Sequence, residues 1–449
     1  MSHVKKLRKE SIVKFSSIVF LVVFVFLFLG FYRNQWNVVR DKKFSLFQKD
    51  VEAYVIARMV LTRQSTLSSN GGLLGWGDVD PKDVNEDDYQ YQYETYLNGG
   101  TFQTYLTKES HPGFQGIFFS ILDRVSPMSP SNNLRLFRGM TAGLFAFVLT
   151  GIIIWFAFET GWLPAFFVFI SILVSQWMTL FGRNLFFVSG LFYLPMLLLL
   201  FQLRSETQDG KGLSQKRLFW LVFLAILLKC LFNGYDFILP TLAMVASPIV
   251  FYGVKDGWAF RDFTRRFLLV VLASLAAILA SLFVLSIQEM FASGSFMDGV
   301  SYILETLNRR TLSNDPNLPS IYARAKNAST WSILQIYLSE SYLSEYYVPY
   351  FVPVILFAVI SGFQIMVEKK RAAHNLSYPL VGRAIIVSTW FGFLGPLSWY
   401  VIFKSVAYFH THMNYLPWHM PFTLFGFDLC GYFIQSLFGL FHQYRKTSP

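Results

Sequence analysis

The chain is poor in cysteine and in charge. Its two cysteines, Cys230 and Cys430, both lie in apolar stretches of a 449-residue sequence. Neither a disulfide framework nor a metal site built from cysteine thiolates is therefore available. Charged residues make up 14% of the chain, against about 25% in typical soluble domains. These two shortages exclude a secreted disulfide scaffold and argue against an ordinary soluble protein.

Apolar residues dominate instead. They form 54% of the sequence, which includes 49 Phe. Runs of roughly 18 to 22 such residues can cross the hydrocarbon core of a bilayer as helices. Because backbone in lipid must satisfy its own hydrogen bonds, we predict an all-α integral membrane protein. The ten expected transmembrane helices lie near residues 16–32, 139–158, 163–182, 185–202, 218–233, 237–253, 267–288, 348–366, 384–404 and 419–440.

Lysine and arginine are concentrated on one side of these predicted spans. The N-terminal segment, the tail and the loops 203–217, 254–266 and 367–383 are all basic, whereas the short turns opposite them hold one Arg in total. The positive-inside rule therefore predicts cytoplasmic N and C termini for a single multi-pass domain over residues 1–449. On this reading the net charge of +11 is a topology signal and does not indicate nucleic-acid binding. The short loops and the lack of a sorting signal make a bacterial inner membrane the expected location.

Two segments on the other side of the membrane are long, 33–137 and 289–347. The first contains 12 of the 27 acidic residues and is also rich in Tyr, Phe and Leu, so we expect a folded extracytoplasmic loop with interfacial helices. Apolar residues spaced through 51–64 suggest a short amphipathic helix on the membrane surface.

The first loop also contains a recognisable motif. Asp50, Glu52 and Tyr54 form a D-x-E-A-x-Y stretch. It resembles the acidic motif of the GT-C superfamily, multi-spanning glycosyltransferases that use polyprenyl-phosphate-linked sugars. His111, followed by Pro112 and then Gly and Phe, resembles that superfamily's H-P-P-leucine stretch with two replacements. Arg183 resembles its arginine at the outer end of a middle span. The resemblance covers roughly the first 240 residues, and Asp50 lies about eighteen residues past the first span, farther than usual.

The resemblance implies a GT-C-like fold and a specific activity. A sugar would move from a polyprenyl phosphate donor to the hydroxyl of a lipid-, glycan- or protein-linked acceptor at the extracytoplasmic face, with inversion at the anomeric carbon. Some members need a divalent cation and others do not, so the resemblance leaves metal use open, and we assign no metal ligands.

The chemistry of such a transfer requires two kinds of group. The acceptor hydroxyl needs a carboxylate as general base, for which we choose Asp50, with Glu52 as alternate or helper. The leaving phosphate needs nearby positive charge, for which we nominate Arg183, Lys229 and Lys404. The alternatives are that the two acids cap or solvate an interfacial helix and that Lys404 reaches the membrane interface as a long side chain does.

Further residues are candidates for contact with substrate. These are Tyr54, His111, Asp236, His410 and His412. The two histidines of the Tyr408–Asn414 segment also fit an aromatic, polar interface belt. Asp236 also fits a tight turn that simply needs Gly234.

Two other functions stay open at this stage. A transporter or flippase of lipid-linked sugars would have the same composition, although transporters tend to show paired repeats and we find none. A polymerase or ligase of lipid-linked glycans would instead place its key residues in the second long loop, at Arg309, Arg310 and Arg324.

Overall fold

The chain folds almost entirely into α-helices. The computed structural model describes residues 2–79, 86–210, 214–311, 325, 328–343, 348–373, 380–411 and 413–447. These residues contain 17 α-helices, two short 3-10 helices and one pair of three-residue strands. The prediction of an all-α protein is confirmed, and its several long apolar helices indicate a multi-pass integral membrane protein.

The elements follow one another in a simple order. The helices are α1 (Ser2–Arg33), α2 (Asp41–Gln64), α3 (Glu86–Leu97), α4 (Phe114–Val125), α5 (Pro130–Glu159), α6 (Trp162–Leu173), α7 (Gln176–Phe181), α8 (Gly190–Asp209), α9 (Gln215–Asn233), α10 (Ile238–Lys255), α11 (Phe260–Ser293), α12 (Phe296–Thr311), α13 (Thr330–Ser339), α14 (Phe351–Ala373), α15 (Val381–Ile402), α16 (Lys404–Phe409) and α17 (Phe422–Thr447). The strands β1 (Gly75–Gly77) and β2 (Tyr105–Thr107) pair antiparallel, with Trp76 opposite Leu106. The 3-10 helices are Ser69–Gly72 and Leu416–His419.

Seven of the described helices are long and apolar enough to cross a membrane. They are α1, α5, α10, α11, α14, α15 and α17. The predicted span 163–182 is not one helix, because α6 ends at Leu173 and α7 begins at Gln176. Ser175 explains the break: its hydroxyl accepts a hydrogen bond from the Met178 N–H and so caps a new helix. The segments 185–202 and 218–233 correspond to α8 and α9, which are not among the seven.

The helix α2 differs from the predicted surface helix over 51–64. It is 24 residues long, and every residue from 55 to 62 is buried beneath α3, α4 and β1. Arg58 donates hydrogen bonds to the carbonyls of Leu67 and Ser69 at 2.6 and 2.7 Å, and Arg63 donates two to the Asp123 carboxylate. Residues 55–62 of α2 are thus enclosed by protein and lack the exposed polar face expected of an amphipathic surface helix. The position of this loop relative to the membrane stays a prediction.

Candidate functional site

A cavity of about 390 Å³ lies where the first-loop elements meet the ends of the bundle helices. We call it the central cavity. Four residues predicted from sequence, Asp50, Tyr54, Asp236 and His410, line it together. They come from α2, from the turn between α9 and α10, and from the end of α16, so the fold joins positions that are far apart in the chain. Its other lining residues are Val51, Trp76, Tyr89, Lys108, Ser110, Phe186, Phe187, Phe237, Trp399, Val406, Met413 and Asn414.

Asp50 lies on the wall of this cavity, one turn of α2 before Tyr54. Tyr89 on α3 lies near this carboxylate and lines the same cavity. Burial, reinforced by the negative charge of Asp50, raises the pKa of Tyr89 well above its usual value. Tyr89 therefore keeps its hydroxyl proton beside the Asp50 carboxylate.

Aromatic rings form a continuous wall next to Asp50. The ring of Tyr54 contacts that of Trp76 edge-on, with centroids 4.5 Å apart, and Trp76 stacks on Tyr89 at 5.5 Å. A mainly apolar lining with a few polar groups is typical of sites for small molecules. This wall presents ring faces beside a carboxylate, an arrangement suited to a ligand with both apolar and hydroxyl groups.

Lys108 supplies positive charge to the cavity, and sequence reasoning missed it. It directly follows β2, and its N–H donates a 2.7 Å hydrogen bond to the Leu74 carbonyl. Its ammonium lies over the rings of Tyr54 and Phe186. No ion pair joins Lys108 to a carboxylate within the described part of the chain. In the sequence, Lys108 stands out only because it lies three residues before His111, and it belongs to no motif.

The structure separates Glu52 from Asp50. Side chains two positions apart on a helix point about 200° apart, and Glu52 faces the bundle. It is completely buried and accepts hydrogen bonds from Arg138 at 2.6 Å, Tyr93 at 2.8 Å and the Leu185 N–H at 3.1 Å. Glu52 is not among the residues that line the cavity. Its partners make it the link between α2 and α5, which argues against the predicted role as alternate base.

The three cations nominated for phosphate binding each donate to a backbone carbonyl. Arg183 donates to Tyr32 at 2.9 Å, and Lys404 donates to Ala328 at 2.9 Å. Lys229 is buried and donates to the carbonyls of Gly234 and Asp236 at 2.8 and 2.7 Å. None of the three is among the residues lining the central cavity. They hold the loops around the site, and Lys229 fixes the turn that carries Asp236.

His111 lies behind the cavity wall. It is buried, its Nδ1 is 3.2 Å from the Ser110 hydroxyl, and its ring meets Phe186 edge-on. A Cβ added to Gly234 would stand 2.1 Å from the Cβ of His111. The left-handed conformation of Gly234, with φ of 57°, thus allows the Asp236 turn to pack directly on His111. His412, the remaining predicted contact, lies outside the described residues.

A second cavity of about 690 Å³ adjoins the first and shares Asp50 and Tyr89 with it. We call it the adjacent cavity. It lies between the first half of α2 and the start of α3. Its other lining residues are Arg40, Lys42, Lys43, Leu46, Phe47, Lys49, Glu86, Asp87 and Gln90.

Two further comparisons, of the side chains that could hold a metal ion and of known proteins, identify no ligand and no relative within the part of the chain described. Within the ranges that the structure describes, no group of three or more His, Cys, Asp or Glu side chains is placed to hold a metal ion. Comparison with protein-family models, with curated proteins and with solved structures found no match. A function for the chain therefore has to be argued from the two cavities and their residues.

Proposed function

We propose that this chain is a GT-C-like membrane glycosyltransferase that moves a sugar from a polyprenyl phosphate donor to an acceptor hydroxyl. One observation carries the proposal: a carboxylate, an ammonium and a wall of aromatic rings line the same cavity at the ends of the bundle helices, as Asp50, Lys108 and Tyr54 with Trp76. On the proposed topology of ten crossings, with both termini in the cytoplasm of a bacterial cell, this cavity faces the extracytoplasmic side.

Asp50 is the proposed general base. It takes the proton of the acceptor hydroxyl while that oxygen forms a bond to the anomeric carbon of the sugar. The bond between that carbon and the phosphate oxygen breaks in the same step, so the sugar is transferred with inversion. Tyr89, which lies beside Asp50 and lines the same cavity, would orient the carboxylate toward the incoming hydroxyl.

Lys108 takes the phosphate-binding role first assigned to Arg183, Lys229 and Lys404. Negative charge develops on the phosphate as the sugar leaves, and a fixed cation in a site with little water stabilises it. Lys108 meets this requirement because its ammonium lies over two aromatic rings and forms no ion pair with a carboxylate of the described residues. Asp236 and His410 line the same cavity, and we assign them hydrogen bonds to the sugar hydroxyls.

The apolar part of the cavity suits the lipid chain of the donor. Phe187, Phe237, Trp399 and Met413 line the cavity, the first three near the points where α8 and α10 begin and α15 ends. A ligand with an isoprenoid tail could place that tail among these rings with its phosphate near Lys108. The cavity thus supports a donor carried on lipid more directly than a soluble nucleotide sugar.

The test is sugar transfer from radiolabelled polyprenyl-phosphate sugars in membranes with equal amounts of wild-type and Asp50→Asn chains. We expect transfer by the wild type and a loss of about 10²–10⁴-fold in the variant, with donor binding retained. Asp41→Asn is the matched control, since Asp41 is exposed on the same helix. Equal transfer by both chains would exclude Asp50 as the base. If the wild type transfers no sugar from a complete donor panel to endogenous acceptors, the enzyme assignment fails, and uptake of the same compounds into proteoliposomes would then favour a transporter.

A further inference from the structure

The adjacent cavity is the larger of the two that meet at Asp50, and the proposed donor site does not use it. A base must reach both the reacting sugar and the acceptor hydroxyl, so a carboxylate on the shared wall of two cavities can serve one ligand from each. With the donor in the central cavity, an acceptor in the adjacent cavity would bring its hydroxyl to Asp50 from the other side. A volume of about 690 Å³ is sufficient for such a ligand.

Charge is distributed unevenly across this cavity. Four cations, Arg40, Lys42, Lys43 and Lys49, line the α2 wall, whereas the acids Glu86 and Asp87 line the α3 wall. Three of the four precede or occupy the first turn of α2, where the positive end of the helix dipole already favours an anion and disfavours a cation. Local helix stability therefore does not explain their presence, and a negatively charged ligand would.

The cations of the α2 wall make no close ion pairs within the described residues, although Glu340 lies near enough to Lys43 to act on its charge. Lys43 donates to the side-chain oxygen of Gln176 at 3.2 Å, and Lys49 donates to that of Gln90 at 2.9 Å. Among the residues that the structure describes, none of the four cations forms an ion pair. Burial lowers the pKa of Lys43, and the negative charge of Glu340 partly opposes that shift. The α2 wall thus carries positive charge that a ligand can compensate.

We propose that the adjacent cavity binds the acceptor, and that this acceptor carries a phosphate group beside the hydroxyl that receives the sugar. The phosphate lies against Arg40, Lys42 and Lys49, and the hydroxyl-bearing part lies toward Asp50 and the α3 acids. Leu46 and Phe47 give the same wall an apolar patch, so the phosphate can belong to a lipid headgroup or to a glycan. This inference deepens the proposed function and rests on it.

Site-directed photo-crosslinking tests the inference without requiring transfer. The full chain in neutral nanodiscs would carry p-benzoylphenylalanine in place of Leu46, which lines the cavity. The matched control carries it in place of Leu136, which is 45% exposed on α5 and lines neither cavity. Radiolabelled phosphatidylglycerol and glycerol 1-phosphate are the two phosphate probes, and diacylglycerol and glycerol are their neutral counterparts.

We expect the phosphate probes to label position 46 and not position 136. Lys42→Gln should reduce labelling about fivefold, and the double variant Lys42→Gln with Lys49→Gln should reduce it further, because each lysine near the ligand contributes comparably. Lys42 is exposed, so its substitution leaves folding intact. Labelling by both probes supports a phosphate site in general, labelling by the lipid alone supports a headgroup acceptor, and labelling by glycerol 1-phosphate alone supports a soluble or glycan-borne acceptor.

Three results would overturn the inference: no labelling by either phosphate probe, equal labelling by the neutral probes, or unchanged labelling in the double lysine variant. The Asp50→Asn chain should still be labelled, since binding does not need the base. A chain that is labelled as expected but transfers no sugar would retain the anion site and refute the proposed transferase. A chain that transfers sugar but binds only neutral probes would retain the proposed transferase and refute the anion site.

Discussion

The ammonium of Lys108 lies 3.8 Å from the centre of the Tyr54 ring, and the ring of Phe186 is 4.6 Å from the same atom. A cation held by ring faces keeps its charge available for a ligand, whereas a cation held by a carboxylate does not. Tyr54 comes from the acidic motif of α2 and Phe186 from the turn before α8. The position of Lys108 therefore depends on the first loop being folded onto the bundle.

Replacing Lys108 should damage the reaction more than the structure. We expect Lys108→Met to lower kcat/KM for the donor by about 10²–10³-fold, because the cation acts mainly on the charge of the transition state. Lys108→Arg should recover part of this loss. Steady-state transfer assays would separate kcat from KM, with Lys370→Met, exposed on α14, as control. A normal kcat for Lys108→Met would refute its role at the leaving phosphate.

Replacing the carboxylate with an amide should mainly lower stability at Glu52 and mainly lower activity at Asp50. Glu52→Gln leaves Arg138 with a buried, uncompensated charge, so we expect a loss of about 3–5 kcal/mol in the free energy of unfolding. Asp50→Asn should remain close to wild type in stability while losing transfer. Thermal unfolding in detergent would measure both. The double variant Glu52→Gln with Arg138→Met should lose less than the sum of the two single changes, because the two residues form one ion pair. A stable but inactive Glu52→Gln chain would instead make Glu52 catalytic.

The turn that carries Asp236 should depend on Lys229. Lys229→Met leaves the carbonyls of Gly234 and Asp236 without their donor, and each buried, unsatisfied carbonyl costs about 1–3 kcal/mol. We expect a lower melting temperature and weaker donor binding, measured on the same preparation. Lys216→Met, at the exposed start of α9, is the matched control. Unchanged donor affinity in a destabilised Lys229→Met chain would remove Asp236 from the binding site.

The small sheet that precedes Lys108 should be acid-sensitive through Asp78. Burial alone would raise the pKa of Asp78, but hydrogen bonds from Thr104, Gln103 and Tyr91 outweigh it, and the pKa is lowered. Since the folded form binds its proton less readily than the unfolded form, the stabilisation is complete above the ordinary pKa of about 3.9 and is lost as the pH falls below it. The protection of residues 100–108 from hydrogen exchange, measured relative to the intrinsic exchange rate at each pH, should fall below pH about 4. Asp78→Asn should show lower protection at neutral pH and little change of that protection with pH, and an unchanged protection profile would contradict this account.

Composition and periodicity predicted the all-α membrane class because they depend only on local chain chemistry. The details of the spans were harder, since a polar capping residue such as Ser175 ends a helix inside an apolar run without changing its mean hydropathy. The hydropathy of α8 and α9 is diluted by the polar residues at their ends, which the sequence does not assign to helix or loop. Their status as spans remains a prediction.

The site residues also differ in whether the local sequence or a long-range contact places them. Asp50 and Tyr54 were found because they belong to one short acidic motif, and the structure places them one helical turn apart on α2, facing the same cavity. Lys108 could not be found, since it reaches the cavity only through the pairing of β1 with β2. Arg58 and Arg63 lie in the segment predicted as a surface helix, but their partners lie in distant or irregular segments, Arg63 pairing with Asp123. Such long-range pairings carry no local signal.

One contact on the far side of the site constrains how the protein is made. Gln288, near the end of α11, donates hydrogen bonds to the carbonyls of Gly71 and Pro112, which precede it by 217 and 176 residues. During synthesis the first loop therefore lacks these two hydrogen bonds until α11 has been made and inserted. Chains truncated before residue 288 should expose residues 66–113 to protease, and the ribosome must pass the middle of the message before the first loop can reach its final state.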